Sequence, residues 1–221
     1  AADVVETDCA AMHAAVGQAL QSGLPLVQDY MSVFRGHWGY CRKVVDACAS
    51  APAALQAALA AQAAAHSQCE TFLSQYYPAW LPGWLSLYNS QASAAAVAAA
   101  TSTTASSSNN SEGSERSERR RFTHRLACWK VGVKRFRSIA DFWLAYSAWA
   151  TTAATAGSTD GSTAAASVSS ATRAVSTVFK DALVEMVKDK DCTDPSEVQR
   201  VGDAYIAHEE ERGGVPELLE A

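Results

Sequence analysis

The sequence predicts an all-α fold, an elongated antiparallel bundle of long helices, and three observations carry that prediction. Phe122, Leu126, Trp129, Val133, Phe136, Ala140 and Trp143 step four, three, four, three, four, three. That spacing keeps one side of a helix facing a partner over 119–150. Val168, Ala171, Val175, Val178, Ala182 and Met186 form a second helical stripe over 164–188. Apolar residues make up 48 % of the chain, and many are Ala, which favours close helix packing over a thick core. Leu, Val and six Trp must supply most of the hydrophobic gain.

The remaining elements follow in order. Val5, Cys9, Met12, Val16 and Ala19 mark a first helix over 4–21, ended by Ser22-Gly23-Leu24-Pro25. A second helix is expected over 25–49, with Leu26, Tyr30, Val33, Tyr40, Val44 and Ala47 inward and Gly36 and Gly39 as loose points. Ser50-Ala51-Pro52 starts a third helix over 52–76, with Ser50 the expected N-cap. Two prolines and four large aromatics at 76–84 predict a rigid corner. Tyr76, Tyr77, Trp80 and Trp84 are therefore either a plug in the core or an aromatic binding surface.

A fourth helix is expected over 84–100. Residues 101–118 are rich in Ser, Thr, Asn and Glu without periodicity, which predicts a flexible loop. Its Asn109-Asn110-Ser111 is an N-glycosylation sequon, with Asn109 the acceptor in a secreted protein. Arg121, Arg125, Lys130, Lys134 and Arg137 lie off the main stripe, where their charges stay in water. Gly157, Asp160 and Gly161 mark a turn before the helix over 164–188. A short acidic helix over 195–212 is expected at the periphery, and 213–221 reads as a tail. Altogether 1–221 reads as a single helical domain.

The six cysteines, Cys9, Cys41, Cys48, Cys69, Cys128 and Cys192, have no zinc-ligand spacing. Three disulfides in an oxidising compartment are expected, against six reduced thiols in a cytosolic protein. Folding the helices over 119–150 and 164–188 about Asp160 brings Cys128 level with Cys192. Cys41 and Cys48 are too far apart on one helix to pair, about 10 Å. Cys9 is then left to join one of them and Cys69 the other.

His13, His37, His66, His124 and His208 stand on different predicted helices, and no metal, phosphate-loop or nucleophile motif occurs. No catalysis, metal or cofactor is expected. A net charge of −5 gives no reason to expect nucleic acid as a partner. No run of 18 apolar residues occurs, so any membrane attachment is expected through a segment outside this chain. Ile139, Phe142 and Trp149 lie partly off the main stripe, which makes a homodimer one expectation and burial within one chain the other.

The Ala1-Ala2 start reads as a mature end left by signal-peptide removal or trimming. Together with the Ala-rich heptad helices, the scattered cysteines, the sequon loop at Asn109 and the acidic tail after Cys192, it resembles African trypanosome surface glycoprotein ectodomains. The helical invariant surface glycoproteins, with related flagellar or receptor proteins, are the nearest in style. The 76–84 corner has no counterpart there. The resemblance implies a membrane-anchored glycoprotein at the cell surface that binds a host protein or is displayed as an antigen. The rival expectation is an intracellular helical scaffold or coiled-coil membrane adaptor.

Overall fold

The computed structural model describes residues 2–104, 111–155, 164–189 and 194–211. Among them the regular structure is eight α-helices packed against one another, an all-α, bundle-like fold. Contacts divide the chain into two compact units, Ala1–Ser107 and Ser108–Ala221, where the sequence reading expects one domain. Asn109, Cys192 and the tail at 213–221 lie outside the described residues.

Unit 1 holds α1 (Ala2–Gln21), α2 (Val27–Ala47), α3 (Pro52–Tyr76) and α4 (Leu81–Thr104). The expected limits of α3 are matched, though its N-cap is Ala51 rather than Ser50. After α1, Gly23 takes φ +72°, a conformation that favours glycine and turns the chain into α2. Helix α2 is unbroken through Gly36 and Gly39, but its inward face is rotated by one residue from the expected one. Met31, Phe34, Trp38, Cys41 and Val45 are buried, while Leu26 is 59 % exposed. The rotation places Phe34 and Trp38 inside, which removes more apolar surface from water than the Tyr and Val stripe beside them.

Helix α3 packs against α1, α2 and α4. Helices α1 and α2 form an antiparallel pair whose register is readable from two contacts. His13 and His37 rings lie 5.5 Å apart, and Val5 packs on the cluster that contains Val45. Cys9 and Cys41 fall midway between those two levels, both buried.

All five described cysteines, Cys9, Cys41, Cys48, Cys69 and Cys128, are free thiols here, so the expected disulfides among them are not formed. Burial raises the Cys9 and Cys41 thiols, Cys41 to about 11, and each also feels nearby thiols, Cys48 for Cys9 and Cys9 for Cys41. Cys69 sits elsewhere along the bundle. It lies three residues from His66, which contacts Trp38, and three from Phe72, which contacts Phe34. Cys48 is ten residues beyond Trp38, about 15 Å along the helix. That separation is far longer than a disulfide spans and argues against a Cys48–Cys69 pairing.

The corner between α3 and α4 is shorter than expected, because Pro82 and Gly83 belong to the first turn of α4. Pro82 suits that turn, where its missing N–H is not needed. The Trp84 indole donates to the Tyr77 carbonyl (3.3 Å), and Trp84 is 1 % exposed. A Cβ on Gly83 would sit 2.6 Å from Trp80 Cζ3 and 2.9 Å from Leu73 Cδ2. Gly83→Ala should therefore destabilise unit 1 by about 1–3 kcal/mol. In an open helix the same change stabilises by ~1 kcal/mol. The sign decides: a urea midpoint that rises in the variant means Trp80 does not clamp this turn.

Unit 2 holds α5 (Ser111–Phe136), α6 (Ala140–Thr155), α7 (Ala164–Lys188) and α8 (Pro195–Glu211). Helix α4 runs on to Thr104 and α5 starts at Ser111, so much of the expected loop is helical.

The single helix expected over 119–150 is a helical hairpin. It breaks between Phe136 and Ala140, and the two halves fold face to face. Trp129 stacks on Tyr146 with centroids 5.3 Å apart and planes 2° from parallel, and Phe136 meets Phe142 at 5.8 Å. The apolar stripe thus closes on itself. Three partners hold the break. The Trp143 indole donates to the Arg137 carbonyl (2.8 Å). The Ala140 amide donates to Glu197 Oε2 (2.9 Å), so α8 caps α6. Arg137 Nε donates to the buried Asp189 carboxylate (2.8 Å) at the end of α7.

The break removes the straight arm on which the Cys128–Cys192 pairing rests. Helix α6 packs on α5, α7 and α8, and α7 follows the expected limits with Val175, Val178, Ala182 and Met186 buried. Helix α8 is not peripheral, since Val201 and Tyr205 are buried. Arg125, expected in water, is half-buried over the Trp149 ring at 5.4 Å, and burial lowers its pKa. Of the residues off the main stripe, Phe142 is fully buried within unit 2, and Ile139 and Trp149 are partly so.

Candidate functional site

The aromatic residues of the corner separate into two roles. Trp84 is core, and Trp80 packs edge-on against Tyr77 at 6.2 Å. Tyr76 and Tyr77 wall a cavity of about 790 Å³ between the C-terminal halves of α1 and α3 and the start of α2. Phe72 is the hub of that wall, with Tyr30, Tyr76 and Tyr77 at 4.9, 5.2 and 5.6 Å. Phe34 backs it from the core at 5.5 Å. The spacing Phe72, Tyr76 places two rings one helical turn apart on one face of α3, and Tyr77 leaves the helix at its C-cap to close the end.

The opposite side of the cavity is polar. Gln21 and His13 come from α1, and Ser67, Gln68, Thr71 and Gln75 from α3. No Asp, Glu, Lys or Arg lines it. A Cβ on Gly17 would make an ordinary contact with Gln68 Nε2 at 3.7 Å. Gln68 Oε1 is buried with no hydrogen-bond partner. A buried acceptor left unmade costs about 1–3 kcal/mol, so a donor brought to it is favoured. Flat rings, amides and hydroxyls around a hollow bind by shape and hydrogen bonding.

Three of the histidines expected to stand apart come together in unit 1, His13 from the polar side of the cavity. His13 faces His37 at 5.5 Å, and His66 packs on Trp38 at 5.5 Å and shares a 2.8 Å hydrogen bond with Ser90 Oγ. Burial lowers the pKa of His37, with His13 a further cause. Burial, then His37, lowers His66 to about 4. Among the described residues no group of His, Cys, Asp or Glu is arranged to hold a metal ion, and no helix is long and apolar enough to cross a membrane.

Sequence reasoning located Tyr76 and Tyr77 but missed Tyr30, Phe72, Gln68 and His13. Phe72 carried a usable signal, four residues before Tyr76. The others arrive from different helices or lie on the polar side, and nothing local marks them. Comparisons with protein-family models, with curated proteins and with solved structures found no match.

Proposed function

We propose that this chain acts by binding and not by catalysis, as the ectodomain of a cell-surface glycoprotein that meets a host protein. The cavity walled by Phe72, Tyr76 and Tyr77 supports the binding reading best. It joins a large apolar contact area to an unpartnered amide oxygen, Gln68 Oε1, and its lining includes no Asp, Glu, Lys or Arg. A neutral part of the partner enters it, a side chain or a sugar, stacking on the rings and donating to Gln68.

The test is capture from host serum on immobilised protein, compared with Tyr76→Ala and Gln68→Leu. Tyr76 is 60 % exposed, so its loss should leave the helical circular dichroism intact. Capture of the bound species should fall roughly tenfold or more in each variant. Capture by both variants at the level of the unaltered protein rejects the cavity. Surface display is tested separately, by a mobility shift on glycosidase treatment that disappears in Asn109→Gln.

A further inference from the structure

A second cavity, of about 360 Å³, opens elsewhere in unit 1 between α2, α3 and α4. Its chemistry differs from that of the aromatic hollow. Arg35 and Arg42 line it from α2, with Ser86, Asn89 and Ser93 opposite on α4. No carboxylate lines it. Gly39 lies between the two arginines in sequence and also lines the space. A Cβ there would meet nothing within 4 Å, so the floor is open.

The arginines are positioned but not consumed. A guanidinium has five N–H donors. Arg35 commits Nε to Ser86 Oγ (3.1 Å), which fixes the side chain across the α2–α4 gap. Arg42 commits Nε to Asp46 Oδ1 (3.2 Å), an exposed carboxylate outside the lining. Trp38 also lines the cavity, is 5 % exposed, and its buried Nε1–H has no acceptor. Its dipole adds positive potential to the same wall. Gln62, 4 % exposed, adds the opposite feature, a buried Oε1 with no donor.

We propose that this cavity is a binding site for a small tetrahedral oxyanion carrying a hydroxylated group, a phosphate or sulfate monoester. Two guanidinium groups meet the oxyanion by charge-assisted hydrogen bonds, the strongest type available to it. The Ser and Asn groups of α4 complete its shell. A bare phosphate does not fill about 360 Å³, so the ester group occupies the rest, next to Gln62.

The experiment titrates the whole chain with glycerol phosphate, glycerol sulfate and inorganic phosphate at constant ionic strength, following the Trp38 indole N–H by NMR. Trp38→Phe assigns that signal. A saturable shift is expected with the esters, weaker with inorganic phosphate. Phosphate and sulfate esters binding unequally identifies which oxyanion the site prefers and supports the proposal either way. Arg35→Gln and Arg42→Gln should each weaken binding roughly tenfold. Gly39→Leu, which keeps both charges and suits a helix, should abolish it by filling the floor. Arg200→Gln, in unit 2, should change nothing. The proposal fails if no ester shifts the signal, if sodium chloride reproduces the shift, or if binding survives Gly39→Leu unchanged.

Discussion

Phe142→Ala is expected to destabilise unit 2 by about 3–5 kcal/mol. Phe142 is fully buried, and its ring meets Trp129 at 6.0 Å, Phe136 at 5.8 Å, Trp143 at 5.5 Å and Tyr146 at 6.2 Å. It joins both arms of the α5–α6 hairpin just after the break. Removing it opens a cavity among four large rings, which cannot collapse together without losing the Trp143 hydrogen bond to Arg137. Hydrogen exchange reads the effect by unit. Amides of α6 and α7 should exchange much faster in the variant, and those of α2 and α3 at the native rate. Unchanged protection in α6 would falsify the hairpin.

Unit 1 is expected to weaken in acid, by ~3 kcal/mol from His66 alone on going from neutral pH to about pH 4. The folded pKa of His66 is about 4, against an ordinary 6.5. The native state therefore holds a neutral ring at a pH where the unfolded chain binds a proton. Stability is full above the unfolded value, falls as pH drops through 6.5, and levels off near the folded value. His37, lowered chiefly by burial and then by His13, acts in the same direction. Both face the same interior as the Cys9, Cys41 and Cys69 thiols, which are neutral throughout this range, since an ordinary thiol value of 9.0 lies above it and burial raises these three further. Calorimetry at neutral pH and at pH near 4.5 measures the drop. His66→Gln, which keeps a partner for Ser90, should lose a large part of it. An identical drop in the variant would assign the acid sensitivity to other groups.

These elements show what a single sequence makes legible. Proline signals at Pro52 and in the 76–84 corner marked the limits of α3, and an apolar stripe marked those of α7, where tertiary contacts agree with local periodicity. The break after Phe136 had no local signal. Arg137-Ser138-Ile139 contains neither Pro nor Gly, and the four-three spacing runs across it through Ala140 and Trp143. Two of the three partners that hold the break are remote, Asp189 on Arg137 and Glu197 on Ala140, each more than fifty residues away. The one-residue rotation of α2 has a similar cause. Two overlapping stripes compete, and the partner helices select the one with Phe34 and Trp38. The candidate cavity was half visible, since its tyrosines sit at a marked corner. Its polar side comes from helices that meet only in the folded chain.

The aromatic stacks have an optical consequence. Trp38, Trp80 and Trp84 belong to unit 1, and Trp129, Trp143 and Trp149 to unit 2. Each unit thus carries its own chromophores, and the two sets are packed differently. In unit 2 the near-parallel Trp129–Tyr146 pair and the adjoining Trp143 and Trp149 hold fixed, close orientations, the arrangement that gives near-ultraviolet ellipticity. In unit 1 Trp38 lies against His66, and Trp84 against Tyr88. Protonation of His66 places a cationic quencher beside the Trp38 indole alone. The Trp38 contribution to emission then reports the charge state of one buried histidine, while the Trp129–Tyr146 stack contributes an ellipticity that reports the packing of unit 2.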